Sequence, residues 1–117
     1  MNRRAFERIV RETMEGLPDW VLERIHNLEV LVEDEPTEEQ DPHGERLLGL
    51  YDGLSLPERG ADYAGVMPDV VYIFRMPHLE LGLREDELVE EIRRTLLHEL
   101  AHYFGIEDDH LDHIGWA

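Results

Sequence analysis

Cysteine is absent from this 117-residue chain, so neither disulfides nor thiolate metal sites are available to it. Lysine is absent too. All 11 basic residues are arginine, and asparagine and glutamine are scarce, a usage that codon bias and a hot habitat both produce. Positive charge is in short supply overall, with 11 bases against 28 acids, a formal charge of −17 and a pI near 4.6. That surplus repels a phosphate backbone and an anionic membrane, so neither nucleic acid nor membrane is an expected partner, and its ordinary role is solubility. No apolar run approaches the length of a membrane span, and the start Met-Asn-Arg-Arg-Ala-Phe-Glu-Arg lacks the apolar segment of a signal peptide. A cytoplasmic location is expected by default. Repeats, low-complexity segments and linkers are missing as well, so residues 1–117 are expected to form a single domain with one modest core and one cleft.

Chemistry is concentrated in one stretch, His98-Glu99-Leu100-Ala101-His102-Tyr103-Phe104-Gly105-Ile106-Glu107-Asp108. Two histidines four apart stand one above the other on a helix, roughly 6 Å along its axis, so two imidazole nitrogens can converge on one ion. Glu99 points about 100° away, off the ligand axis but within reach of a water activated by the metal, where it can act as general base. On a helical wheel over Glu85 to Phe104, the residues Leu88, Val89, Ile92, Leu96, Leu97, Leu100, Tyr103 and Phe104 fill one broad apolar face. His98 and His102 fall off that face, whereas Glu99 falls among the leucines. A carboxylate there is costly unless paired, hydrogen-bonded or near a cation.

Gly105 follows His102 by three residues, where a helix often stops on a left-handed residue, so the chain can fold back toward the ion. Asp108 is then the natural third ligand, with Asp109, His110, Asp112 and His113 as alternatives, and a fourth position is left for water. Asp108 or Asp109 also suits the N-cap of a short last helix, and the sequence does not decide between the two roles. With 7 His and 18 Glu, a HisGluXaaXaaHis pattern arises by chance in roughly 6 of 100 shuffled chains; adding Gly105 and an aspartate or histidine at 108 lowers that below roughly 1 in 1000. The competing reading is a solvated helix face with incidental histidines and Gly105 as a plain cap.

Elsewhere the patterns are structural. Phe6, Ile9, Val10 and Met14 mark a helix over residues 3–16, and Pro18-Asp19 begins a short second helix through Trp20, Val21 and Ile25, with Trp20 expected as a core plug. Leu28 to Glu33 alternates and reads as a strand; Leu47 to Tyr51 reads as a second, stopped by Asp52-Gly53. Between them Glu35 to Glu45 is an acidic loop without calcium-loop spacing, where His43 faces solvent. Residues 54–68 form an extended excursion expected to wall a cleft, and Tyr63 lies within it. Val70 to Phe74 is a continuous apolar run fit for a buried strand, which would accept an extended peptide if it lay at the sheet edge. His78, in the turn that follows, is expected to be structural. Leu111, Ile114 and Trp116 suggest a last amphipathic turn.

Together His98 to Asp108 resembles the HExxHxxGxxD form of the zincin metallopeptidase signature. The stretches Asn27 to Pro36, Leu47 to Gly53 and Pro68 to Arg75 resemble those of small bacterial proteins described as minimal zincins, so the resemblance covers most of the chain. It implies an α+β domain: a small mixed sheet of about three strands packed on N-terminal helices and a zinc-binding helix, with a short C-terminal helix. It also implies zinc held by His98, His102 and Asp108, with Glu99 as general base. The chain departs from larger relatives, since its last methionine is Met76, so there is no methionine turn, and no glutamate follows Glu107 to serve as a ligand from a later helix.

The leading expectation is therefore a zinc-dependent metallopeptidase acting on a peptide or protein substrate, with His110, His113, Tyr72 and Tyr63 as candidate oxyanion stabilisers. The alternative is a non-catalytic zincin-like domain that binds metal or a partner, favoured by the near-absence of the lower subdomain that walls the peptide cleft in larger relatives and opposed by an intact Glu99. A nuclease, suggested by small bacterial RNA-processing proteins with the same histidine offsets, is disfavoured by Asp at 108 and by the charge.

Overall fold

The computed structural model describes residues 1–53 and 67–106. Outside them lie most of the expected excursion with Tyr63, and residues 107–117 with Asp108, Asp109, His110, Asp112, His113 and the expected last helix. The described elements follow the order α1 (Arg3–Glu15), α2 (Asp19–Leu22), β1 (Leu28–Glu33), β2 (Gly49–Asp52), β3 (Asp69–Phe74), α3 (Arg75–Leu79) and α4 (Glu85–Tyr103). These four described helices and the three-stranded mixed sheet make an α+β fold.

Helix α1 starts where the Asn2 side chain accepts the Ala5 amide at 2.8 Å, satisfying one of the orphan donors of the first turn. Its Phe6 and Val10 are buried. In α2 the inward position is taken by Val21, fully buried, and Trp20 is turned outward with 60% of its surface exposed. Trp20 is thus no core plug. One turn of helix can bury only one side, and the indole instead lies under the Arg24 guanidinium at 5.6 Å.

The sheet order is β1-β3-β2, with β1 parallel and β2 antiparallel to β3. The apolar run of β3 is explained by this central place: Val71 and Ile73 are fully buried on one face, and Tyr72 alternates to the other, where its ring stacks on Phe74 at 6.1 Å. A peptide cannot add to β3, because both its edges are taken; among the described residues the outer strands are β1 and β2. Helix α4 packs against β2, β3 and α1. Leu88, Ile92, Leu96 and Leu100 of α4 join Phe6, Val10, Val21, Val32, Val71 and Ile73 in one core. Thr95 and Ala101 are buried beside them, whereas Leu97 and Phe104, expected in the core, are only partly buried against it.

Where a plain turn is expected after β3, the chain makes α3. Pro77 is third in that helix, within the first turn, where the amide it lacks would have no helical partner. The helix carries His78 into the interior, fully buried and edge-on to Phe6 at 5.4 Å. His78 Nδ1 lies 2.7 Å from the Phe74 carbonyl and Nε2 lies 2.9 Å from Thr95 Oγ1. Burial holds the His78 pKa below its ordinary value of 6.5, against smaller opposing effects of the Phe74 carbonyl and Glu91. The ring is therefore neutral at neutral pH, its Nδ1–H donates to Phe74 O, and Nε2 shares the single Thr95 hydroxyl proton with the Glu91 carbonyl, which lies 3.0 Å from Thr95 Oγ1. His78 is structural, as expected, and joins α3 to α4.

This arrangement fixes a pH dependence. Below pH 6.5 the unfolded chain protonates His78 while the folded chain resists, so the unfolded state binds more protons and stability falls as pH drops. We expect the loss of unfolding free energy between about pH 7.5 and about pH 5.5 to be smaller in His78→Gln than in the parent, measured by denaturant titration at both pH values. An equal loss in the two proteins would contradict a buried neutral imidazole.

Candidate metal centre

Helix α4 has the acidic residues Glu85, Asp86 and Glu87 in its first turn, favourable to the helix dipole, and Glu87 accepts the Arg84 amide at 3.2 Å. It ends as the sequence suggests. Gly105 adopts a left-handed φ of 76°, its amide donates to His102 O at 3.0 Å, and Ile106 N donates to Ala101 O at 2.8 Å. These two bonds form a Schellman motif, which stops the helix at Tyr103, one residue after His102. The same end is tied down by Tyr103, whose hydroxyl donates to His26 O at 2.6 Å and accepts from His26 N at 2.8 Å. The turn that carries His102 is thereby anchored to the chain just before β1.

On this anchored turn the rings of His98 and His102 stand 4.8 Å apart, inclined by 73°. One ligand-capable atom from each of His98, Glu99 and His102 lies within 4.8 Å of the others, which makes this trio a possible metal site. Tetrahedral ligands at zinc distances are about 3.3 Å from one another, so small side-chain rotations close the site on an ion. His102 Nδ1 lies 3.2 Å from Glu99 Oε1. A carboxylate can only accept, so Nδ1 donates, and the lone pair of His102 is left on Nε2, the nitrogen a metal would take.

Glu99 is 8% exposed, buried on the apolar arc as its wheel position implies. Its burial depends on a residue outside the motif, Gly49 of β2. A Cβ on Gly49 would stand 2.7 Å from Thr95 Cγ2, 3.1 Å from Glu99 Cγ and 3.1 Å from the Tyr72 carbonyl. Only the missing side chain lets α4 lie this close beneath β2. An isolated glycine inside a strand pattern is the available signal for such an approach.

Beside the trio runs a groove of about 320 Å³ between the start of β2 and α4, lined by Leu47, Leu48, Gly49, Glu91, Arg94, Thr95, His98 and Glu99. Its Leu47 lip is set by the loop before β2. The buried Asp41 carboxylate accepts the amides of Glu45 and Arg46, both at 2.9 Å, and Arg46 in turn pairs with Glu80 at 2.7 Å. Tyr72, one of the candidate oxyanion stabilisers, faces the other side of the sheet and takes no part. Asp108, the expected third ligand, lies outside the described residues, as do Tyr63, His110 and His113.

Gly49→Ala tests the close approach. We expect a loss of about 1–3 kcal/mol in unfolding free energy, together with weaker divalent metal binding, because Glu99 and Thr95 must shift. Parental stability and metal affinity in this variant would contradict the contact.

Comparison with known proteins agrees with this geometry. No curated protein matches the chain. Among solved structures, a conserved hypothetical protein from T. thermophilus is similar over 97% of both chains, with 21% identity and a TM-score of 0.57, a likeness of fold. Residues 25–116, which include the histidine pair, Glu99 and Asp108, match the family described as zincin-like metallopeptidase, and the chain belongs to that family.

Proposed function

We propose that this protein is a zinc-dependent peptidase, with His98, His102 and Asp108 as ligands and Glu99 as general base. The observation that carries the reading is a paired histidine and glutamate cluster, of which His98 and Glu99 line a groove against β2, on a chain of the zincin-like family. A metal alone would need ligands. It would not need a buried glutamate between them, and that glutamate is what separates a hydrolytic site from a storage site. Zinc is the metal the family implies, and the donor set of two imidazoles with a carboxylate suits it.

A bound zinc would lower the pKa of a water molecule and polarise the peptide carbonyl. The protein's own part falls to Glu99 and β2. An extended peptide laid along the outer edge of β2 would hydrogen-bond through its backbone, with its carbonyl turned toward the histidines. Glu99 takes a proton from the water, the water oxygen bonds to the carbonyl carbon, the C–N bond breaks, and Glu99 returns the proton to the departing amine nitrogen. Its hydrogen bond from His102 and its seat against Gly49 hold the carboxylate in one orientation through both transfers.

Glu99→Gln keeps the size and the hydrogen-bonding capacity of the side chain and removes the base. We expect it to retain bound zinc while hydrolysis of a mixed peptide library falls by on the order of 10²–10⁴. Hydrolysis at the parental rate would remove Glu99 from its role. Absence of any chelator-sensitive cleavage by the parent between about pH 5 and pH 9 would favour a domain that binds without catalysis.

A further inference from the structure

We propose that Arg94 selects the substrate by receiving a carboxylate carried by the peptide one to three residues from the bond that is cut. The inference rests on the peptidase reading above and adds to it the class of peptide the groove takes. Arg94 precedes His98 by four residues, so it stands one turn, roughly 6 Å, along the same side of α4. Extended peptide rises roughly 3.3 Å per residue, so that turn corresponds to about two residues of substrate.

Among the described residues that line the groove, Arg94 is the sole arginine, and Leu47 and Leu48 form the apolar side. Its intramolecular partner holds it loosely: Nη1 is 3.5 Å from Glu91 Oε2, and the Arg94 side chain is 62% exposed. Elsewhere the arginines that fix structure are held much closer, Arg46 to Glu80 at 2.7 Å and Arg75 to Asp34 at 2.9 Å. A loosely held guanidinium in a groove presents two parallel N–H donors, which match a carboxylate in a bidentate pair. Such a pair outcompetes a single exposed contact at 3.5 Å.

The overall charge of −17 opposes an acidic peptide at long range. At physiological salt that repulsion is screened over about 8 Å, whereas Arg94 and a bound divalent cation act inside that distance. Glu91 and Glu99 line the groove as well; Glu99 is engaged by His102 and Glu91 holds Arg94 at only 3.5 Å, so Arg94 is the cationic side chain in the groove that a substrate carboxylate can engage. The carboxylate can belong to an Asp or Glu side chain or to the C-terminus of the peptide. Both present the same group to the guanidinium.

The test uses zinc-loaded Glu99→Gln protein, which binds without turnover, and N-acetylated octapeptides of alanine and serine. One arm carries a single Asp at successive positions with an amidated C-terminus, a second carries Asn in its place, and a third carries Asn with a free C-terminal carboxylate. We expect the Asp peptide at one position, or the free-acid peptide, to bind at least about tenfold tighter than the Asn amide. Adding Arg94→Ala should erase the difference, and adding Arg94→Glu should turn the preference toward a Lys peptide. Equal binding of the three arms, a preference that survives both substitutions, or no binding of any peptide overturns the proposal. Library cleavage by the zinc-loaded parent separates the two readings. A carboxylate preference that depends on Arg94, without cleavage, removes the peptidase and keeps the arginine. Cleavage without that preference does the reverse.

Discussion

Glu99 is a carboxylate embedded in the apolar side of a helix, 8% exposed, between a histidine and the bare backbone of a strand. Burying such a group costs free energy unless something compensates, and the surroundings supply two things. His102 donates to it, and Gly49 gives it room without pushing the helix from the sheet. The remaining design follows from keeping that contact. Thr95, one turn earlier, stands against the same glycine and is hydrogen-bonded to His78 on α3, so α3 braces the helix beside the groove. Tyr103, one turn later, clips the helix end to the turn before β1.

Much of this is legible in the sequence for simple reasons. The α4 wheel places Glu99 among leucines, and a charged residue at such a position announces a partner. The left-handed Gly105 follows from the way helices end, and its φ of 76° agrees. All three strands and the main helix are recognisable, the strands by alternation or a short apolar run between turn residues and the helix by its long apolar period. The features that escape the sequence share a cause. Trp20 resembles a core residue because a four-residue helix carries no period to tell its inside from its outside. Helix α3 is hidden by Pro77, which marks a turn in most contexts and is harmless in a first turn. Gly49 reads as part of a strand, and its meaning depends on what lies under it, which is Thr95 and Glu99 from distant parts of the chain. Long-range contact of that kind leaves only a faint local trace.

Sheet order decides which strand borders the candidate site. A strand as apolar as β3 could equally have stood at an edge or in the middle, and periodicity does not separate the two. Its central place leaves β2, among the described residues, as an outer strand, and β2 also lies against the histidine-bearing helix. His98 and Glu99 line the groove, His102 is hydrogen-bonded to Glu99 beside it, and the start of β2 forms its other wall. Membership of the zincin-like metallopeptidase family and the metal-capable trio point to the same chemistry, one from the sequence and the other from the geometry.

The central claim is that His98 and His102 hold an ion, and metal content tests it most directly. The protein should be purified gently, without added metal or chelator, and its zinc counted by elemental analysis beside His98→Ala prepared in the same way. One zinc per chain in the parent and a loss of most of it in the variant is the expected result. A parent with no divalent metal that also fails to take up added zinc, or a variant that retains the parental amount, would contradict the account.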